Sequence, residues 1–377
     1  MRARPLWPLY AGGFMGPFGG AMTSVMLPEL AEGLHTTVGV ASTAVTWYMV
    51  PFATLMLASG TLAARWGEAR TVRVAFVAYG VASLVGVLAS SIELFLIGRA
   101  LQGAANAFTT PLLISMLAAL TPPHHRGRAI GTYSSMQAAG VAFAPLIGGA
   151  AAAVDYRLAF ALAAATAFAL AALVPGVQIH HGAGPVSQRD RWRSLANRPL
   201  ARVCLIGFAL QSTATAVILL VSLLGADRFG LDVAQRGLLV ALFGGAGLLA
   251  GRASGQLADR YGMRRVGAGA LTLLGLGMAV SGIVPWLWLL AVVISIAGAG
   301  NAAARMMVQS LAVRTTPVNP SGATSLMLAV QFLGGALAPA SIPPYQTHPA
   351  LTCAAVGAVS LLGAALATRA SADSARG

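Results

Sequence analysis

The chain has no lysine: all 24 of its basic residues are arginine. Charge of either sign is scarce, with only 9% of the 377 residues charged and only 10 acidic. A soluble domain carries about a quarter charged residues, so most of this chain cannot face water. Cysteine is nearly absent. Cys204 and Cys353 both fall inside apolar runs, which argues against a disulfide framework and points to inert buried thiols. No Ser/His/Asp or Cys/His arrangement suggests hydrolysis, and the chain does not read as an enzyme. His124 and His125 are adjacent, point to different sides and have no third ligand nearby, so no metal site is expected. Gly245-x-Gly-x-x-Ala250 and Gly298-x-Gly-x-x-Ala303 match a nucleotide-binding pattern. Neither follows a soluble strand, so no cofactor is expected.

What is present is apolar. Hydrophobic residues make up 57% of the chain and the mean hydropathy is +0.76. A spanning helix needs roughly 20 apolar residues. Twelve such runs occur, at about 6–30, 39–64, 71–90, 93–119, 127–153, 156–175, 201–224, 233–257, 264–284, 286–313, 320–342 and 349–369. Arg2 and Arg4 before the first run resemble the start of a signal peptide, but that run is long for one and further spans follow throughout. The net charge of +14 raises the possibility of nucleic-acid binding. The arginines, however, lie in short breaks between apolar runs, with no soluble basic domain, so nucleic acid is not an expected partner.

Their placement orients the chain. With the N-terminus inside, cytoplasmic segments hold Arg2, Arg4, Arg65, Arg70, Arg73, Arg126, Arg128, Arg189, Arg191, Arg193, Arg198, Arg202, Arg260, Arg264, Arg265, Arg314, Arg369 and Arg376. The outer loops hold Arg157, Arg228 and Arg236. Arginine-rich loops stay inside, so both termini are expected in the cytoplasm. The hydrophilic stretch around Gln188-Arg-Asp-Arg-Trp-Arg193 is the one sizeable linker. It divides the chain into an N-terminal half at 1–180, a cytoplasmic linker at 181–199 and a C-terminal half at 200–377.

The halves repeat each other. Gly60-Thr-Leu-Ala-Ala-Arg65-Trp-Gly67 reappears as Gly255-Gln-Leu-Ala-Asp259-Arg260-Tyr-Gly262, an offset of 195 residues. Gly103 and Asn106 map in the same way onto Gly298 and Asn301. Small residues also recur every four positions, at Gly12, Gly16, Gly20 and Ser24, at Gly140, Ala144 and Gly148, and at Gly247, Gly251 and Gly255. Such stripes let helices approach closely in lipid.

The glycine–arginine loop resembles the loop signature of the major facilitator superfamily. Arg99-Ala-Leu-Gln-Gly103 resembles that family's span-four arginine motif, and Arg126-Gly-Arg-Ala129 its loop before span five. Gly140-x-x-x-Ala144-Pro145-x-x-Gly148-Gly149 is similar to the motif of its proton-driven exporters. The resemblance implies an all-α membrane protein of twelve transmembrane helices in two pseudo-symmetric six-helix bundles. It assigns conformational coupling to Gly60, Arg65, Gly67, Arg99, Gly103, Gly140, Pro145, Gly148, Gly149, Gly255, Asp259, Arg260 and Gly262. The family's usual loop acid is Ala64 here, while the second copy keeps Asp259, so the implied cytoplasmic latch is one-sided.

By the same resemblance, spans one, four, seven and ten line a cavity. Its polar candidates are Thr23, Asn106, Thr109, Gln211, Ser212, Thr215, Asn301, Arg305 and Gln309. Helix packing or an interhelical hydrogen bond is the alternative role for each. No acid lies deep in a span. Glu29, Glu93 and Asp155 sit near the outer interface, leaving Glu29 and Glu93 as candidate proton carriers. An interior with Arg99 and Arg305 and no carboxylate favours neutral or anionic solutes.

The expectation is a monomeric, proton-coupled secondary transporter of the plasma (inner) membrane. It would export a small amphipathic or neutral organic compound, such as a drug-like molecule, metabolite or sugar, by alternating access. Two rivals stand beside it: an importer or facilitator of an organic anion using Arg305, and a non-transporting membrane receptor or scaffold.

Overall fold

A computed structural model describes residues 6–122, 125–175, 194–316 and 319–373. His124, Arg2, Arg4, Arg376 and positions 176–193, which include most of the expected linker, lie outside the described residues. So do the surroundings of Gly60, Ala64 and the Arg252 and Arg369 side chains. Among the described residues there is helix and no strand. That is the form an apolar environment requires, because an α-helix satisfies its backbone N–H and C=O groups within one segment.

The helices are α1 Trp7–Ala21, α2 Leu27–Gly33, α3 Val38–Trp66, α4 Glu68–Leu88, α5 Ile92–Asn106, α6 Thr110–Leu120, α7 Arg126–Ala152 and α8 Tyr156–Leu173. After the linker come α9 Arg198–Phe229, α10 Val233–Tyr261, α11 Met263–Ser281, α12 Leu287–Thr315, α13 Pro320–Ala336, α14 Ile342–Thr347 and α15 Pro349–Asp373. Polar side chains cap several helix starts. Thr37, Ser91, Asp155, Asn197 and Asn319 each accept a hydrogen bond from a backbone N–H two or three residues on, satisfying a donor the helix cannot.

Among the described residues, ten segments are long and apolar enough to cross a membrane. The sequence predicts twelve runs, and the two others differ for separate reasons. The run at 6–30 is broken into α1, a 3₁₀ turn at Met22–Ser24 and α2, because Pro28 cannot donate a hydrogen bond to the Ser24 carbonyl. Helix α11 has 19 residues, but Arg264 and Arg265 occupy its first turn and lower its hydropathy. Proline also splits two predicted runs that remain apolar throughout. Pro111 separates α5 from α6, and Pro339 separates α13 from α14, each at the carbonyl four residues earlier.

The chain forms two compact units. The first comprises Met1–Ala183 with Asp232–Leu238, and the second Gly184–Leu231 with Leu239–Gly377. In the first unit α1 packs on α7, α3 on α5, and α4 on both α5 and α8. In the second, α9 packs on α13 and α15, and α11 on α12 and α15. Large apolar side chains such as Leu88, Ile97, Leu249 and Leu362 point outward, as a hydrocarbon solvent permits.

The repeat is visible in the backbone. Gly67 and Gly262 have φ of 84° and 88°, a region that favours glycine, and each joins two long helices. Gly103 lies against the backbone carbonyl of Tyr48, and Gly298 against that of Phe243, both pairs 195 residues apart. Gly140 lies against the Phe14 carbonyl and Gly334 against the Phe208 carbonyl, now 194 apart. In all four places a side chain would collide with the facing backbone. Gly298→Val should therefore cost about 2–3 kcal/mol, seen as a lower Tm of the solubilised protein. Gly269→Ala, where an added methyl meets open space, should change stability by less than about 0.5 kcal/mol. Equal melting of both variants would remove the steric argument.

Candidate functional site

Each unit carries one buried polar cluster. In the first, Arg99 stands mid-way along α5 and is only 1% exposed. Its Nη1 donates to the Gly19 carbonyl at 3.0 Å and to Gln102 Oε1 at 2.6 Å. Its Nε donates to the Ala44 carbonyl at 3.4 Å. Gln102 passes the chain on, its Nε2 donating to Ser83 Oγ at 2.7 Å. The guanidinium lies over the Tyr48 ring, 4.4 Å from its centroid, a cation–π contact strengthened by burial. Among the described residues Arg99 has no carboxylate partner. Backbone carbonyls and π-electrons hold its charge instead. Gly19 lies in the last turn of α1, where helix carbonyls lack intrahelical donors, so the arginine completes that helix end.

Two turns beyond Arg99 on α5, Asn106 donates from Nδ2 to Tyr48 Oη at 2.6 Å and to the Gly16 carbonyl at 3.0 Å. Thr109 donates to Asn106 Oδ1 at 2.6 Å. Asn106 and Thr109 thus belong to one interhelical network with Tyr48. Thr23 is buried in the 3₁₀ turn with its hydroxyl unpartnered.

The second unit gathers Gln211 and Thr215 of α9, Arg305 of α12 and Gln331 of α13. Arg305 Nη2 donates to Gln211 Oε1 at 3.1 Å, and Gln331 Nε2 donates to the same oxygen at 3.1 Å. Gln211 Nε2 donates to Thr215 Oγ1 at 3.1 Å. The amide orientations follow from chemistry. Arg305 can only donate, so the oxygen of Gln211 faces it. Gln331 must then present its nitrogen to that oxygen, which turns its own Oε1 away. Gln331 Oε1 is buried and unpartnered, as is Asn301 Oδ1. Asn301 and Arg305 are four residues apart on α12 and share a face. Ser212 is half-buried and Gln309 exposed.

The remaining sequence candidates are spread along the units. Glu29 of α2 is ion-paired with Arg236, whose side chain is 3% exposed. Glu93 sits in the first turn of α5. Gly148 lies against Met22, and Gly149 and the Pro145 carbonyl lie against Val233 and Gly237. Asp259, Arg260 and Arg65 are exposed at helix ends. Gly251 and Gly255 face no atom within 4 Å, so the stripe on α10 is closely packed at Gly247 alone.

Four participants are absent from the sequence expectation: Gln102, Ser83, Gln331 and Arg236 as a partner of Glu29. Two had a signal. Gln102 is three residues from Arg99, on its face of the helix. Gln331 precedes Gly334 by three, as Gln137 precedes Gly140 in the first half. The partnership of Glu29 with Arg236 joins residues 207 apart and had none.

The major facilitator superfamily model matches residues 9–339. The chain belongs to the major facilitator superfamily. It is a multi-pass membrane protein. Over 131 residues it is 30% identical to the puromycin resistance protein pur8 of Streptomyces alboniger, covering 34% of this chain and 26% of that protein. Over 153 residues it is 27% identical to the tetracenomycin C resistance and export protein of Streptomyces glaucescens, covering 40% and 28%. Over 129 residues it is 30% identical to the drug efflux pump JefA of Mycobacterium tuberculosis, covering 34% and 25%. The matched stretch thus spans about a quarter of each relative's length. Two solved structures share the fold across almost the whole chain. A bacterial homologue of the human lysosomal transporter Spinster, inward-facing and occupied, superposes with a TM-score of 0.74 at 16% identity, covering 97% of this chain and 96% of that one. The nucleoside transporter NupG gives 0.74 at 13%, covering 96% and 97%.

The Glu29–Arg236 pair makes a stability prediction in this superfamily member. Glu29→Gln leaves the buried Arg236 without its countercharge and should cost about 1–3 kcal/mol. Adding Arg236→Met to that variant should recover part of the loss, because the uncompensated charge is gone. Thermal melts of wild type, both single variants and the double variant check this. Unchanged melting of Glu29→Gln would show that the pair contributes nothing.

Proposed function

We propose that this chain is a secondary transporter that exports a small amphipathic or neutral organic compound in exchange for protons. The relatives named as resistance, export and efflux proteins support the direction. The observation that carries the cargo class is the charge distribution. Every described carboxylate lies in a loop or within about one turn of a helix end: Glu29, Glu32, Glu68, Glu93, Asp155, Asp227, Asp232, Asp259 and Asp373. Arg99 and Arg305 stand in helix interiors. A cationic cargo would meet positive potential with no carboxylate to receive it, whereas a neutral or anionic one would not.

In this reading the protein works by alternating access, and each half contributes candidate cargo-binding side chains. Arg305, Gln211, Thr215 and Asn301 serve on one half, and Thr23, Asn106 and Thr109 on the other. The glycine–arginine loops, with Asp259, act as the cytoplasmic latch, and Gly140–Gly149 with Pro145 as a packing seam. Glu29 and Glu93 are its candidate proton carriers. The arginine distribution supports a plasma-membrane orientation with both termini in the cytoplasm.

The same Arg305 favours one rival, an importer or facilitator of an organic anion. Purified protein in liposomes, supplied with a panel of radiolabelled neutral, anionic and cationic solutes, separates the readings. With an imposed pH gradient we expect flux of neutral solutes, abolished by a protonophore. Arg305→Ala should reduce that flux. Loss of anion flux alone in that variant, with neutral flux intact, would move the reading to the anion carrier. No flux of any solute would leave a receptor or scaffold.

A further inference from the structure

We propose that the second unit contains a recognition site for one chemical edge: a carboxylate or carbonyl oxygen with a hydroxyl or amide N–H beside it. The inference rests on the transport reading, because it names the chemistry of the cargo. The site is built from Arg305, Gln331, Asn301 and Gln211.

The hydrogen-bond inventory of these side chains is incomplete in a particular way. Arg305 has five N–H donors and, among the described residues, makes one bond, to Gln211 Oε1. Its side chain is half-buried, and its remaining donors are left over. Gln331 is 0% exposed, and its single bond uses its nitrogen. Its oxygen is left as a buried acceptor with no donor. Asn301 is 8% exposed, and its Oδ1 is in the same condition. A buried acceptor without a donor is destabilising, so both oxygens favour anything that brings an O–H or N–H.

The internal repeat shows what a completed version looks like. Asn106, the counterpart of Asn301, is saturated by Tyr48, Thr109 and the Gly16 carbonyl. Tyr48 corresponds to Phe243, which has no hydroxyl, and Thr109 corresponds to Ala304. The second unit has therefore lost the partners that close the first. Surplus donors on Arg305, together with unpaired amide oxygens on Gln331, which shares its Gln211 acceptor, and on Asn301, one turn away on its helix face, call for a ligand that accepts and donates along one edge. A bare carboxylate answers only the arginine. An ammonium answers only the amide oxygens and is repelled by Arg305.

Mandelate and phenylacetate isolate this distinction, because they differ by one hydroxyl beside the carboxylate. Phenylethylammonium replaces the anion with a cation. Binding is read by calorimetry on the full-length protein in detergent, where no flux is involved. We expect mandelate to bind roughly tenfold more tightly than phenylacetate, the worth of one hydrogen bond to a buried acceptor. Phenylethylammonium should bind more weakly than either. Gln331→Met conserves volume and removes the acceptor, so it should bring the two anions to equal affinity. Arg305→Gln should weaken both anions together. Monodisperse elution and residual phenylacetate binding by the Gln331→Met protein show that it is folded; if it is not, Asn301→Leu gives the same comparison.

Equal affinity of wild type for mandelate and phenylacetate, binding of neither, or preference for the cation overturns the inference. So does a Gln331→Met protein that keeps the full preference while Asn301→Leu keeps it too. Failure of the transport reading has a different signature: liposomes that move no solute, whatever the detergent-solubilised protein binds.

Discussion

Backbone-to-backbone contact at paired glycines is the constraint on which both units are built. Gly103 and Gly298 seat α5 and α12 directly on the carbonyls of Tyr48 and Phe243. Gly140 and Gly334 do the same for α7 and α13 on Phe14 and Phe208. In lipid no hydrophobic force drives helix against helix, so association rests on contact area and on polar bonds made at short range. The close approach supplies both. It puts the Tyr48 ring within reach of the Arg99 guanidinium and the Tyr48 hydroxyl within reach of Asn106. A methyl group at Gly103 would push α3 away and open those contacts together.

Much of this was legible in the sequence. The 195-residue copy of the glycine–arginine loop located both turns, and the positive φ of Gly67 and Gly262 explains why glycine recurs there. The polar positions were found because an apolar chain makes each of them conspicuous. The helix breaks were less visible. Pro28, Pro111 and Pro339 lie inside runs that remain apolar on both sides, so hydropathy continues where the backbone hydrogen bonding does not. Partners distant in sequence were hidden for another reason. Glu29 and Arg236 each look like ordinary interfacial charges, and only the fold joins them.

The repeat is followed closely by the backbone and loosely by the side chains. Asn106 and Asn301 occupy matching positions, but the first sits in a closed network and the second does not. The difference comes down to neighbours: Tyr48 against Phe243 and Thr109 against Ala304. Arg99 and Arg305 also diverge. The first bonds two carbonyls and Gln102 and lies over a ring, with its buried Nη2 left over, whereas the second makes one bond among the described residues. Two units on one plan thus carry matching asparagines, one saturated and one with an unpaired oxygen.

Arg99 has one more property worth following. Its partners are the carbonyls of Gly19 and Ala44, the amide of Gln102 and the ring of Tyr48. None of these groups gains or loses a proton between roughly pH 5 and 8, the window in which imidazole changes charge. The centre of the first unit is therefore silent to acidity. A drop in pH neither loosens α1 from α5 nor tightens it. A buried arginine with no acid partner among the described residues thus makes the contact between α1 and α5 a fixed one.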